Sequence, residues 1–263
     1  MLGITLGGAA GIGDKLQFSS FPENYYRNTG EKVVDIDRSW IFDSNPYVVR
    51  DQDADTVIDL WSQPWPQKAT IDREEYLRKP VFFSLADRTA TIFKHVPFLR
   101  HPRLYRFEDL PTILNRLVIH TTGKRIPPNA AIGEDRPRVL PDEIIWHIRE
   151  AYRDYEIIQV GSSEDVDAKV IDRRGLEDIW ATVKIIAQAQ IFIGVDSGPY
   201  WIAACFPRIF RKRVLVQYPP EYLRARFVPT HLINPATHWH DHSCYYYNRT
   251  VDDAGVTFSY RKL

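Results

Sequence analysis

The sequence has 263 residues, of which 44% are apolar, with 34 basic and 34 acidic side chains. An apolar fraction of this size supports a folded core and excludes an intrinsically disordered chain. The balanced charge excludes a protein drawn as a whole to nucleic acid or to an anionic membrane, and the apolar runs are much shorter than the roughly 18–20 residues of a membrane span. We therefore expect no nucleic-acid partner and at most peripheral membrane contact.

The N-terminus and the cysteines indicate a cellular compartment. Residues Met1–Ile4 contain no basic n-region, so we do not expect a secretory signal there. Two cysteines, Cys205 and Cys244, are too few for a disulfide framework. We expect a reducing, cytoplasmic location.

The first part of the chain alternates predicted strands and helices. A helix is expected from about Asp14 to Asn28, with Gly30 as its stop. Strands separated by crossover connections favour a parallel sheet. The predicted strands are Gly3–Leu6, Lys32–Asp37, Thr56–Leu60 and Val81–Leu85.

A second α/β series begins after Leu99–Thr112, a segment that contains Pro102 and Pro111 and lacks a strand pattern. We place a boundary there and expect one lobe over residues 1–111 and another over 112–263. The chain from Pro219 onward is expected to be irregular. The predicted strands are Arg116–His120, Tyr155–Val160, Ile191–Gly194 and Arg213–Gln217, and the predicted helices are Pro141–Tyr152, Gly175–Ala189 and Pro199–Cys205.

The glycine-rich loop Gly7–Gly13 connects the first strand to the first helix. Glycines allow a ligand to approach the backbone closely, and the start of a helix favours anions. The dinucleotide-binding pattern G-x-G-x-x-G does not fit these glycines. Asp14 fits a helix-capping acid, and it also fits a carboxylate exposed at the edge of a parallel sheet where ligands bind.

A second candidate site follows the predicted strand that ends at Gly194. Either Ser197 or Asp196 can cap the next helix, and Pro199 suits its first turn. Backbone amides around Ser197 and Gly198 are expected to face a crevice and to suit a diphosphate. An ordinary capped helix remains the alternative interpretation.

These segments, in this order, resemble the ADP-heptose:lipopolysaccharide heptosyltransferases, glycosyltransferase family 9. Members have a G-I-G-D segment after the first strand, which corresponds to Gly11–Asp14, and a D-[ST]-G segment in the second lobe, which corresponds to Asp196–Gly198. The strand that ends at Gly161 and the loop that contains Lys124 are similar in style. The resemblance covers residues 1–30 and about 113–217.

The resemblance implies a GT-B fold, in which two Rossmann-like lobes with parallel sheets face a cleft. The first lobe would bind the acceptor and the second the nucleotide-sugar donor, and inverting transfer would need no metal or other cofactor. By position, Asp14 would be the general base and Lys124 would neutralise charge on the departing diphosphate. A solvated loop lysine is the alternative for Lys124. The implied donor-binding residues are Gly161, Asp196, Ser197, Gly198 and Pro199, and Gly11 and Gly13 belong to the acceptor-side loop.

The resemblance leaves the sugar, the nucleotide base, the acceptor and the oligomeric state open. Family members often have a histidine shortly after D-[ST]-G, where this chain has Tyr200 and Trp201. The predicted function is a glycosyltransferase of bacterial polysaccharide or lipopolysaccharide synthesis.

Other functions remain as alternatives. Asp35 and Asp37 lie near the spacing of a ribose-binding acid, which favours a nicotinamide-dependent NAD(P) oxidoreductase. A non-catalytic nucleotide-sugar binding module is a third class. The cluster from His238 to Cys244 has ligand types that suit zinc but lacks a standard zinc spacing, and its role stays open.

Overall fold

A computed structural model describes residues 1–7, 11–63, 89, 92, 102–123, 138–140, 142–195, 197–206, 209, 211–216, 243–252 and 255–262. A parallel sheet and a second, mainly parallel sheet, with helices packed against them, form a mixed α/β fold. No helix in these ranges is both long enough and apolar enough to cross a membrane.

The first sheet has four parallel strands in the order β3-β2-β1-β4. This order places the carboxyl ends of β1 and β4 side by side. The strands are β1 (Leu2–Thr5), β2 (Val33–Asp35), β3 (Val48–Val49) and β4 (Thr56–Asp59). A short 3₁₀ helix spans Trp40–Phe42.

Two helices, α1 (Ile12–Gln17) and α2 (Phe21–Thr29), follow β1 where the sequence predicted one. Pro22 explains the difference, because in a continuous helix its ring would clash with the carbonyl group of Phe18. The prediction that Gly30 stops the helix is confirmed, since Gly30 adopts a left-handed conformation with φ of 75°.

The second sheet has seven strands in the order β13-β12-β11-β10-β5-β8-β9. All neighbours are parallel except β12 and β13. The strands are β5 (Arg116–His120), β8 (Glu156–Gly161), β9 (Ile171–Arg174), β10 (Ile191–Gly194), β11 (Arg211–Val216), β12 (Ser243–Asp252) and β13 (Gly255–Lys262). The last two strands overturn the prediction of an irregular C-terminal segment.

The remaining elements surround the second sheet. A two-stranded antiparallel ladder pairs β6 (Thr122–Gly123) with β7 (Arg138–Val139). The helices are α3 (Asp142–Ala151), α4 (Ile179–Ala187) and α5 (Gly198–Ala204). Asp178 begins α4, because its carboxylate accepts a hydrogen bond from the backbone N–H of Trp180 at 2.9 Å.

Side chains alternate between the two faces of the second sheet, as the period of a strand requires. Leu117 and Ile119 of β5 pack with α3 in one cluster, whereas Val118 faces a second and larger cluster. The larger cluster also contains Ile4 and Leu16 from the first part of the chain. One continuous core therefore joins the two sheets through α1 and α5.

Candidate functional site

The carboxyl ends of β5 and β10 lie side by side in the second sheet. His120 is the last residue of β5 and pairs in register with Gly194, the last residue of β10. The chain continues from β5 towards β8 on one side and from β10 towards β11 on the other. Ligands of open parallel sheets bind at such a reversal of strand order.

Ser197 begins α5, the helix that follows β10, with an extended backbone. The sequence had suggested that the Ser197 hydroxyl could cap this helix, but it makes no capping hydrogen bond. The Oγ atom instead lies 2.8 Å from His120 Nδ1 and 3.1 Å from the carbonyl oxygen of Val195. The half-buried Ser197 side chain is thus held by the end of β5.

His120 also has a partner on the other side of its ring. Nε2 lies 3.2 Å from Asp165 Oδ2, and both side chains are more than nine-tenths buried. Asp165 Oδ2 in addition accepts a hydrogen bond from the backbone N–H of Ser162 at 3.0 Å. A chain of polar contacts thus runs from the loop after β8, through one imidazole, to the residue that begins α5.

Gly161 provides the space for this contact. It has φ of 135°, and a Cβ atom there would lie 2.0 Å from Asp165 Oδ2 and 2.8 Å from His120 Cδ2. Both the backbone angle and the close packing require glycine. The predicted site residue Gly161 therefore lies beside the His120–Asp165 pair.

The buried side chain of Gln159 fixes the loop that carries Asp165. Its Nε2 donates to Thr121 Oγ1 at 3.0 Å and to the carbonyl oxygen of Val166 at 2.7 Å. Its Oε1 accepts from the backbone N–H of Ala168 at 2.7 Å. Because each polar atom of this buried amide has a partner, the loop is held rigidly against β5 and β8.

Asp14 lies in the first turn of α1 and is half-buried. Its Oδ2 accepts a hydrogen bond from the backbone N–H of Gly11 at 3.2 Å. The capping interpretation of Asp14 is therefore correct, and it leaves the carboxylate at the start of the helix. Proton transfer and capping are compatible, since one carboxylate has two oxygens with several lone pairs.

Helix α1 and helix α5 meet at their first turns. A Cβ atom on Gly13 would lie 2.6 Å from Trp201 Cδ1, and one on Gly198 would lie 3.4 Å from Ile12 Cβ. The packing of these helices brings the Gly11–Asp14 segment beside the Ser197–Pro199 segment. The predicted site residues that the structure describes thus lie in one region.

Other predicted residues lie outside the described residues. These include Lys124 and Asp196, although Gly123 and Ser197 next to them are described. His238, His240 and His242 are also outside, while the backbone of Cys244 is part of β12. In the described part of the chain, no three His, Cys, Asp or Glu side chains are arranged to hold a metal ion.

The two acids that suggested a ribose site have other partners. Asp35 is buried, with an Oδ2 atom 3.5 Å from the Arg50 guanidinium. Both oxygens of Asp37 lie 2.8 Å from the hydroxyl of Thr5, and one accepts from the backbone N–H of Leu6 at 2.6 Å. These contacts give Asp37 a structural role at the end of β1 and Asp35 a structural role within β2.

Sequence reasoning missed His120 and Asp165. A polar signal was present, because a histidine ends the apolar run Leu117–Ile119 at the same sheet edge as Gly194. Asp165 had no comparable signal, since Asp and Glu are common in loops. Only the turn at Gly161 brings its carboxylate back to the imidazole.

The similarity of this chain to known proteins is found in its structure and not in its sequence. No family model matches the sequence, and no curated protein sequence matches it. A glycosyl transferase of family 9 from Veillonella parvula superposes with a TM-score of 0.54 at 12% identity, over 83% of this chain and 81% of that one. The Escherichia coli heptosyltransferase WaaC, solved with ADP, gives 0.52 at 14% identity over 83% and 87% of the two chains.

A third similar structure is the iron-containing dodecameric glycosyltransferase TibC of enterotoxigenic E. coli. It superposes with a TM-score of 0.52 at 15% identity over 81% of this chain and 58% of that chain. At such identities the similarity shows the fold alone. This mixed α/β fold with parallel sheets is shared with family 9 glycosyltransferases.

Proposed function

We propose that this chain is a glycosyltransferase that moves a sugar from a nucleoside diphosphate donor to a hydroxyl group of a glycan or glycolipid acceptor. The shared fold supports this class of enzyme. The observation that carries the proposal is the contact between the first turns of α1 and α5, which brings Asp14 near Ser197. Direct transfer needs a base for the acceptor and a phosphate-binding group for the donor in one site.

In this proposal Asp14 takes the proton from the acceptor hydroxyl as the new glycosidic bond forms. A carboxylate already fixed by the Gly11 N–H needs little reorganisation to act as a base. The displacement occurs on the face of the sugar opposite the diphosphate, so the anomeric configuration inverts.

The donor diphosphate is proposed to lie at the carboxyl ends of β5 and β10. Ser197 would contact it with the hydroxyl that His120 holds, and Gly198 with a backbone N–H at the start of α5. Lys124 would neutralise charge on the leaving diphosphate without a metal ion, and Asp196 would bind the donor's ribose or sugar. Gly161 would serve the donor site indirectly, because the space at its Cα admits Asp165, which contacts His120.

The proposed architecture is GT-B, with residues 1–111 as an acceptor lobe and 112–263 as a donor lobe across a cleft. The strands of the first sheet all lie within residues 2–59 and those of the second within residues 116–262, which supports such a division. Bacterial polysaccharide or lipopolysaccharide synthesis is the proposed setting, and WaaC, a heptosyltransferase, is a structure of this fold.

A ligand panel tests the class of enzyme. Thermal unfolding is measured with ADP-, UDP-, GDP- and dTDP-glucose, with the free diphosphates, and with NAD(P)H, each with and without EDTA. A ligand at about 100 times its Kd adds about 2.7 kcal/mol to the free energy of unfolding. Stabilisation by a nucleoside diphosphate or its sugar supports the proposal, whereas stabilisation by NAD(P)H alone favours an oxidoreductase.

A turnover measurement separates an enzyme from a binding module. Water can replace an unidentified acceptor, so slow release of nucleoside diphosphate from the donor is followed by chromatography. The proposal predicts release that depends on Asp14. Tight binding with no release from any donor, and no product with hydroxyl acceptors, favours a non-catalytic module.

A further inference from the structure

The hairpin of β12 and β13 extends beyond the second sheet as an arm. Strand β12 pairs with β11 as far as Tyr246, opposite Val216, whereas its pairing with β13 continues to Asp252. At about 3.3 Å per residue, residues 247–252 carry the arm about 20 Å past the end of β11. Because β12 runs parallel to β10 and β11, the arm leaves the sheet at the edge where Gly194 ends β10.

The pairing register assigns each residue of these strands to one face of the sheet. Ile193 of β10 packs in the cluster that contains α3, whereas Phe192 packs in the larger cluster on the opposite face. Ile193 pairs with Arg213, and Arg213 pairs with Ser243. Every second residue of β11 and β12, counted from these two, therefore lies on the face of Ile193, which we call the α3 face. The β13 residues paired with them lie on the same face.

Cations occupy the α3 face of β11, β12 and β13, and no Asp or Glu lies on that face of these three strands. The cations are Arg211, Arg213, Arg249 and Lys262. Burial of such a set without paired carboxylates would be costly, because an unpaired charge loses its hydration. The α3 face of the arm therefore differs from a core face, and its charge suits an anionic partner.

The other residues of this face are mainly aromatic and aliphatic. The aromatic positions are Tyr245, Tyr247, Phe258 and Tyr260, and the aliphatic positions are Leu215, Val251 and Val256. The opposite face of the arm is polar, with Asn248, Thr250, Asp252, Thr257 and Ser259. The arm is thus amphipathic, and its apolar face is the one that carries the cations.

The connections of β11 and β12 belong to the opposite face of the sheet. Helix α5 connects β10 to β11, and its Tyr200 ring lies 6.4 Å from the ring of Phe192, between centroids. The step from β11 to β12 crosses the sheet in the same direction as the step from β10 to β11. Since connections between parallel strands are right-handed, both run on the face of Phe192. They leave the α3 face of the arm to a partner.

An anionic membrane surface fits this combination better than a nucleic acid does. Tyrosine and phenylalanine favour the level of the lipid headgroups, and Arg and Lys pair with lipid phosphates. Leu215, Val251 and Val256 gain only by leaving water, which a bilayer provides and the stacking of bases does not. Asp252 ends β12 and Asp253 follows it in sequence, so the arm would lie along the surface and not insert its turn.

We propose that the α3 face of β11, β12 and β13 binds a membrane surface of anionic phospholipid, with the arm lying along it. Strand β12 is two strands from β10, a separation of about 10 Å. The bound membrane would therefore lie beside the edge proposed for the donor, where a lipid-linked acceptor could reach it. The inference goes beyond the proposed transfer, because membrane binding needs neither donor nor acceptor.

Flotation with lipid vesicles tests the proposal on the full chain. The probes are vesicles of phosphatidylcholine alone and of an equimolar mixture of phosphatidylcholine and phosphatidylglycerol. We expect the protein to float with the anionic vesicles and to stay in solution with the neutral ones. Binding should weaken as the salt concentration rises, because salt screens exposed charges.

Two neighbouring cations provide a matched pair of variants. Lys262 lies on the α3 face and Arg261 on the opposite face, so Lys262→Glu and Arg261→Glu reverse the same charge on different faces. Lys262→Glu should lower the vesicle partition coefficient about tenfold or more. Arg261→Glu should change it by less than about threefold, since its charge lies away from the membrane. Thermal unfolding checks that each variant is folded.

A second variant tests the aromatic residues. Tyr247→Ser/Tyr260→Ser leaves every charge in place and removes two rings that pair across the arm. It should also lower the partition coefficient about tenfold, at low salt as well as at high salt. If this variant does not fold, the matched pair of charge variants remains decisive.

The outcomes separate the two proposals. Vesicles carry no donor, so a wild-type protein that does not float with anionic vesicles overturns this inference whatever the ligand panel shows. Equal losses in Lys262→Glu and Arg261→Glu overturn it as well, since binding would then not depend on the face. Binding to oligothymidylate in place of vesicles, or self-association that Lys262→Glu abolishes, would assign the face to another partner and also overturn it.

Discussion

Gly161 and Asp165 are so close that a Cβ atom on the glycine would lie 2.0 Å from the aspartate Oδ2. The same carboxylate oxygen lies 3.2 Å from His120 Nε2. The space above Gly161 therefore determines where Asp165 lies and, through the imidazole, where Ser197 lies. This relationship leads to the first prediction.

Gly161→Ala should displace Asp165 and weaken donor binding at least tenfold. The backbone strain alone costs about 1–3 kcal/mol of stability, and the clash adds to it. Gly30→Ala is the matched control, because Gly30 also has a positive φ but a Cβ there meets nothing within 4 Å. Calorimetric titration measures the donor affinity of each variant, and urea unfolding measures its stability. Equal effects on binding in the two variants would remove Asp165 from the site.

Asp14→Asn should reduce sugar transfer by about 10²–10⁴-fold while donor affinity stays within a few-fold of wild type. Asparagine keeps an oxygen that can accept from the Gly11 N–H, so α1 retains its start. Initial rates of donor turnover and Kd are measured on the same preparation. Undiminished turnover would exclude Asp14 as the base.

Gly13→Ala should destabilise the protein by about 1–3 kcal/mol, because the new methyl group meets the Trp201 ring at 2.6 Å. Gly11→Ala is the stability control, since its Cβ would meet its nearest neighbour at 3.5 Å. In the double variant Gly13→Ala/Trp201→Leu the clash is relieved, and the combined loss should be less than the sum of the two single losses. Additive losses would show that the two helices do not pack as described.

Asp35 should make stability depend on pH. Burial raises the pKa of this carboxyl group from its ordinary 3.8 to about 6, with Arg50 partly opposing the rise. The folded state thus binds the proton more tightly than the unfolded state. The stabilising contribution is complete below about pH 4 and is lost as pH rises through about 6, a change of about 3 kcal/mol.

Urea unfolding of wild type and Asp35→Asn between pH 4 and 8 measures this dependence. The variant should lose the fall in stability over that window, whereas Asp53→Asn, at an exposed position, should keep it. A parallel pH profile for wild type and Asp35→Asn would contradict the assignment.

The sequence predicted the four central strands β5, β8, β10 and β11 of the second sheet because buried parallel strands are short apolar runs, such as Leu117–Ile119 and Ile191–Ile193. It predicted Gly30 as the end of a helix because the left-handed conformation of a glycine after a helix is a local property. It missed the edge strand β9, whose residues Ile171–Arg174 are mostly charged, and the hairpin of β12 and β13, whose polar residues lack the apolar run of a buried strand. The contact between His120 and Asp165 depends on a loop returning to a neighbouring strand, and no local pattern encodes that return.

The most direct test is a crystal structure of the protein with its preferred nucleoside diphosphate. The account predicts a phosphate oxygen within hydrogen-bonding distance of Ser197 Oγ, at the carboxyl ends of β5 and β10, with His120 still in contact with Asp165. A diphosphate bound elsewhere, or a Ser197 hydroxyl that stays on His120 and contacts no ligand atom, would contradict it.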